Sequence, residues 1–195
     1  MAENIRKLYP PVEDKTIGSW YNDTDRDRYH RVVRVLDNLQ NGNLDEQDVR
    51  WFIKCAIISK IYISEGVHLL GDGAWKNPSN PRLQKILHQL HKDGYVTHKE
   101  IDIERCRAKG ICFEHVVPYD VAIESILKLY YDGRLSDEKF TQIRSKLNIC
   151  LVTKEEEREL SKSYRQSMPT GTDWLNKPSD EFARYTKTGV NIWKP

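Results

Sequence analysis

No run of apolar residues in this chain is long enough to cross a bilayer. The longest, from Trp51 to Ile63, is broken by Lys54, Ser59 and Lys60, well short of the roughly 20 consecutive apolar residues that a spanning helix needs. The opening MAENIRKLYPP lacks the apolar core of a secretory signal. A cytoplasmic protein with no membrane partner is therefore expected. A surplus of charge of one sign is missing too. The 31 Lys and Arg stand against 29 Asp and Glu, a formal net charge of +2, so any surface that meets a polyanion has to be local. Cysteine is sparse: the four (Cys55, Cys106, Cys112 and Cys150) match neither a disulfide scaffold nor a double C-x-x-C zinc site. Cys106 and Cys112 flank a turn at Arg107-Ala108-Lys109-Gly110, and Cys150 follows later. Without a convincing fourth ligand, a structural zinc ion is disfavoured. Internal repeats and low-complexity tracts are also lacking, which excludes solenoids and disordered linkers.

What is there suits a folded core. Hydrophobic residues make up 38% of the 195, with five Trp and ten Tyr, and the length suits one domain or two small, tightly packed ones. Pro10-Pro11, Gly18 and Asn22-Asp23 predict an irregular N-terminal arm over 1–24. A helical domain over 25–100 follows. Its first helix runs from near Asp25 to Gln40, with Tyr29, Val32, Val33, Leu36 and Leu39 at helical spacing. Asp45 caps a second, whose apolar girth (Val49, Phe52, Ile53, Ala56, Ile57) predicts the centre of a helical core. Leu83, Ile86, Leu87 and Leu90 mark a third, ending at Asp93-Gly94.

The texture changes from Gly110 onward. Ile111-Cys112-Phe113 and Val116-Val117 predict a short strand closed by Pro118. Two helices are expected next, one over Val121 to Tyr131 and one from Ser136 to Leu147. A second strand, Ile149 to Val152, then leads into a helix begun by the T-x-x-E capping box of Thr153 and Glu156. The last thirty residues, with Trp174, Phe182, Tyr185 and Trp193, read as an ordered C-terminal wrap over 166–195.

The strand, insert, strand, helix order from Ile111 onward can hold a base beside a metal ion. Phosphodiester hydrolysis needs a base to deprotonate water, an ion to stabilise the charge that develops, and a group holding the base in its working tautomer. His115 suits the base and Glu114 a carboxylate ligand, while Asn148 can orient His115 or bind metal. The segment Glu114-His115-Val116-Val117-Pro118, followed by Asn148, a short apolar strand and a polar helix, resembles the HNH (ββα-metal) endonuclease family over residues 112–160, about a quarter of the chain. The resemblance implies a metal-dependent DNA endonuclease in which His115 is the general base, Glu114 binds metal and Asn148 is the middle letter of the family name. It also implies an HNH-like region over 101–165 within a mainly α, α+β protein.

Two features depart from that pattern. The third letter is Glu157 where the family has a His or Asn, and a carboxylate ligand favours Mg²⁺ or Mn²⁺. The insert between Pro118 and Asn148 is also longer than in many members. Cations stand near the motif in sequence: Arg105, Arg107 and Lys109 before it, Arg144, Lys146 and Lys154 around Asn148. They are expected to hold DNA phosphates without reading bases. His88, His91 and His98 lie close together, but no carboxylate or Cys is patterned around them, and a solvated helix face is the expectation. His30 and His68 are isolated. A restriction or phage-defence role and a homodimer are possible contexts. The competing reading is a non-catalytic nucleic-acid or protein binding module on a degenerate HNH frame, with His115 an ordinary histidine at a strand end.

Overall fold

The computed structural model describes residues 23–57, 80–97 and 110–193. It is mainly helical with one small antiparallel sheet of two strands, an α+β arrangement. The expected arm through residue 22, the loop before Asn80, and Arg105, Cys106, Arg107 and Lys109 lie outside the described residues, as do His68 and His98.

The chain packs as two units. One comprises the described residues 23–57 with 122–144, and the other 80–97 and 110–121 with 145–193. In the first, α1 (Asp25–Gln40) starts at Thr24. The Thr24 hydroxyl accepts from the Asp27 amide at 3.1 Å, and the Asp27 carboxylate accepts from the Thr24 amide at 3.0 Å. This reciprocal pair satisfies two amides that a helix start leaves unbonded. The buried stripe is Arg28, Val32, Val35 and Leu36, turned slightly from the expected one, so that Val33 and Leu39 are half-buried. Arg28 is buried because its guanidinium serves backbone: Nη1 donates to the Ala56 carbonyl at 3.1 Å, at the end of α2 (Glu46–Ala56). Asp45 caps that helix as expected, accepting from the Asp48 amide at 2.9 Å. Val49, Phe52, Ile53 and Ala56 of α2 are buried, whereas Trp51 is exposed.

The two helices expected as an insert of the nuclease region, α4 (Tyr119–Tyr131) and α5 (Asp137–Ser145), largely belong to this first unit. The Tyr29 ring lies 6.1 Å from that of Phe140, and its hydroxyl donates to the Leu135 carbonyl at 3.3 Å. Arg50 pairs with Glu124 at 2.5 Å, and Arg144 pairs with Asp25. Their apolar faces (Ala122, Ile123, Ile126, Leu127, Phe140, Ile143) therefore go with α1 and α2. The division falls inside α4 at residue 122, and the expected borders at 100 and 165 do not coincide with it.

In the second unit, α3 (Pro81–Lys92) begins with proline, whose missing N–H costs nothing at a helix start. It ends at Gly94, where φ is +74° and the Tyr95 amide reaches back to the Leu90 carbonyl at 2.8 Å. β1 (Ile111–His115) pairs antiparallel with β2 (Ile149–Thr153), Glu114 opposite Cys150 and His115 opposite Ile149. One face of the pair packs on α3: Leu83, Ile86, Leu87 and Leu90 cluster with Val96, Ile149 and Leu151, and the partly buried Phe113 packs against them. The other gathers Cys150, Val152, Leu160, Tyr185 and Val190, from α6 (Lys154–Tyr164) and α7 (Ala183–Thr188), the latter following a 3₁₀ turn at Pro178–Phe182. Both faces being covered explains why every residue of β2 is buried. Fully burying each aliphatic side chain is worth about 1.5–3 kcal/mol.

Candidate functional site

The second unit assembles the expected order of a strand carrying His115, Asn148 next to the returning strand, and a capped helix, but the first strand ends at His115 and does not run on through Val116-Val117 to Pro118. The Val116 amide donates to the Asn148 carbonyl at 2.9 Å, carrying the pairing one residue beyond the strands. The capping box is present in both halves: the Thr153 hydroxyl accepts from the Glu156 amide at 3.2 Å, and Glu156 Oε2 accepts from the Thr153 amide at 2.8 Å. The same oxygen accepts from Thr97 Oγ1 at 2.7 Å, so Glu156 ties the helix start to the residue after Val96 as well as capping it. Glu157, one residue on, accepts from Ser161 Oγ at 2.6 Å.

Strand geometry separates two of the expected partners. Successive side chains point to opposite faces of a sheet, so His115 shares the face of Phe113 and Ile149, while Glu114 shares that of Cys112 and Cys150. The His115 ring is half-buried against Tyr119, centroids 4.3 Å apart. Its Nε2 is shut off from solvent.

On the opposite face, Glu114 is held by Arg184. Nη2 of this fully buried guanidinium bonds the Glu114 carboxylate and also donates to the His115 carbonyl at 2.5 Å, while Nη1 donates to the Tyr164 carbonyl at 2.9 Å. Cys112 stands close by. Burial pushes its thiol up to about 12, and the carboxylates of Glu157 and Glu114 add to the shift. Glu114 and Glu157 are thus brought around one thiol, which stays protonated and is a poor nucleophile at neutral pH. Among the described residues, no set of three or more His, Cys, Asp or Glu side chains is gathered so as to hold a metal ion. With Glu114 bonded to a guanidinium, the donors present do not fit the divalent ion that the resemblance implies.

Asn148 points elsewhere than expected. Its amide donates to Tyr95 Oη at 2.7 Å, to Glu181 Oε1 at 3.2 Å and to the Ser145 carbonyl at 3.3 Å, and not to the His115 ring. Tyr95 in turn donates to Glu181 Oε1 at 3.2 Å, and Lys146 approaches Glu181 Oε2 at 3.4 Å. Burial and the Glu181 charge both raise the Tyr95 phenol, which therefore stays a donor. Glu181 itself is buried, and its three polar neighbours are what make that tolerable.

Of the expected phosphate contacts, Arg144 is a correction. Its side chain is 5% exposed and bonded to Asp25, because α5 packs in the first unit, and a guanidinium so buried has no access to a phosphate. Lys146 is engaged by Glu181. Lys154 is exposed, its stem lying over Gly110, where an added Cβ would come within 2.8 Å of Lys154 Cδ. Arg105, Arg107 and Lys109 are outside the described residues. His88 is exposed and His91 stacks on Trp193 with centroids 4.3 Å apart.

Tyr95, Glu181 and Arg184 are the polar residues that sequence reasoning passed over. The available signal was the spacing of Glu181 and Arg184, two opposite charges three apart within an aromatic stretch. No family model, curated protein or solved structure matches this chain.

Proposed function

We propose that this chain is a DNA endonuclease of the HNH type that hydrolyses phosphodiester bonds, with His115 as general base. The observation that carries the reading is the junction of β1 and β2: His115 ends one strand, the next amide bonds the Asn148 carbonyl at 2.9 Å, and the other strand runs into the capped helix α6. In this reaction the His115 imidazole takes a proton from water as the water oxygen attacks phosphorus, the P–O bond opposite breaks, and the leaving oxygen takes up a proton from solvent. Asn148 fixes the strand mouth through its backbone. Lys154, with Arg105, Arg107 and Lys109, supplies phosphate contacts that carry no sequence information. Mg²⁺ or Mn²⁺ is the cofactor suggested by the resemblance, although the Glu114 carboxylate is bonded to Arg184. Restriction or phage defence suits a small enzyme of this kind by analogy.

A second reading is favoured by that same Arg184–Glu114 pair: a DNA- or protein-binding module that keeps the frame without metal ligation. One plasmid assay separates the two. Supercoiled DNA is expected to be nicked by the wild-type chain in Mg²⁺ or Mn²⁺ but not in EDTA, and left intact by His115→Ala under all three conditions. Nicking that survives the substitution removes His115 from the role. DNA retained in a gel shift but uncut under all three conditions favours the binding module.

A further inference from the structure

We infer that Arg184 is the resident cation of the Glu114 carboxylate, occupying the place of a divalent ion, and that any metal this chain takes up is held without Glu114. The inference rests on the reading of Glu114 and His115 as the site only for its location. Arg184 Nη2 touches two oxygens, the Glu114 carboxylate and the His115 carbonyl. Carboxylate and backbone carbonyl oxygens are the hard donors that Mg²⁺, Mn²⁺ or Ca²⁺ would use, and here both are given to a guanidinium.

That guanidinium is not an exposed arm that could swing aside. Arg184 is 0% exposed, and its other terminal nitrogen is anchored on the Tyr164 carbonyl at the end of α6. Its neighbour Tyr185 is buried in the cluster formed by Cys150, Val152 and Leu160, which ties α7 to the same sheet face. An ion reaching Glu114 would therefore leave a fully buried positive charge without its partner, and an uncompensated buried charge is the costly arrangement. Arg184 does a second thing that an ion in exchange with solvent would not: it ties the carbonyl of His115 to the end of α6, making it a positioning residue for the strand end that carries the imidazole.

The test uses the full chain and Mn²⁺ as the probe, with free ion read by electron paramagnetic resonance. Glu114→Gln is expected to bind Mn²⁺ as the wild-type chain does, including the case in which neither binds any. Weakening by roughly tenfold or more in the variant overturns the inference. If circular dichroism shows that Glu114→Gln does not fold, the wild-type chain is titrated with Mg²⁺ while the Arg184 guanidinium proton resonances are followed. Resonances that keep their shifts support the inference, and their loss or displacement overturns it. For the positioning role, Arg184→Lys keeps the charge and loses the fork. It is expected to move the His115 imidazole resonances, which a lysine merely filling space would leave in place. None of these readouts is DNA cleavage, so the nuclease reading and this one fail separately.

Discussion

Arg184 bonds the Glu114 carboxylate and the neighbouring His115 carbonyl with one nitrogen, joining the C-terminal helix to the end of β1 across 69 and 70 residues of chain. The two residues of the motif are therefore handled differently. Glu114 is held through its side chain and His115 through its backbone, leaving the imidazole on the opposite face with Tyr119.

Breaking that pair from one side should be expensive. Arg184→Met strands the Glu114 carboxylate in a site where its side chain is only 20% exposed, and removal of one partner of a buried pair typically costs about 3–5 kcal/mol. The double variant Arg184→Met with Glu114→Leu should recover much of that loss. Urea unfolding midpoints of the two proteins check this, and equal losses would contradict it.

The Tyr95 hydroxyl donates to Glu181 and accepts from Asn148. Tyr95→Phe keeps the ring and deletes both bonds, so about 1–3 kcal/mol of stability should go with it. In NMR spectra the Asn148 side-chain amide protons should shift at the same time. Unchanged amide shifts would show that the network does not hold Asn148.

The start of α6 rests on Thr153 and Glu156. Thr153→Ala should destabilise the protein by about 1 kcal/mol through loss of the cap. Glu156→Ala should be the more damaging of the two, because its carboxylate also accepts from Thr97 Oγ1. A reversed order in thermal melts would mean that the contact with Thr97 adds nothing.

Thiol ionisation sets an alkaline limit. Burial raises Cys112 to about 12 and Cys55 to about 11, from an ordinary 9.0. Above pH 9 the unfolded chain releases these protons while the folded one keeps them, so stability should fall as pH climbs from 9 toward 11–12 and should not respond to these thiols below 9. Denaturation midpoints across this range test it. With the thiolate scarce, iodoacetamide should label both residues far more slowly in the native protein at pH 8 than in urea, and equal rates would refute the protonated state.

Local patterns in the chain were enough for most elements. Asp45 before a helical run, Thr153 three residues ahead of Glu156, and Gly94 at the end of α3 each act within one turn of backbone, so neighbours in sequence carry the information. The stripe of α1 was less legible: Arg28 is buried and Val33 only partly, since the carbonyl that Arg28 satisfies belongs to Ala56, 28 residues away. The helices between Pro118 and Asn148 were expected as an insert of the site. Their periodicity announced an apolar face without saying which helices would cover it.

The candidate site divides in the same way. That a strand carries His115, that Asn148 precedes another and that a capped helix follows was determined by the sequence, because strand propensity and a capping box are local; the strand ends at His115, though, short of the expected close at Pro118. Which groups those residues touch was decided by the tertiary structure. Arg184 and Glu181 arrive from the far end of the chain to bond Glu114 and Asn148, and α5 draws Arg144 away to Asp25. A charged side chain is placed by the nearest opposite charge or open hydrogen-bond group once the apolar faces have packed, and that neighbour is a property of the fold, not of the adjoining residues.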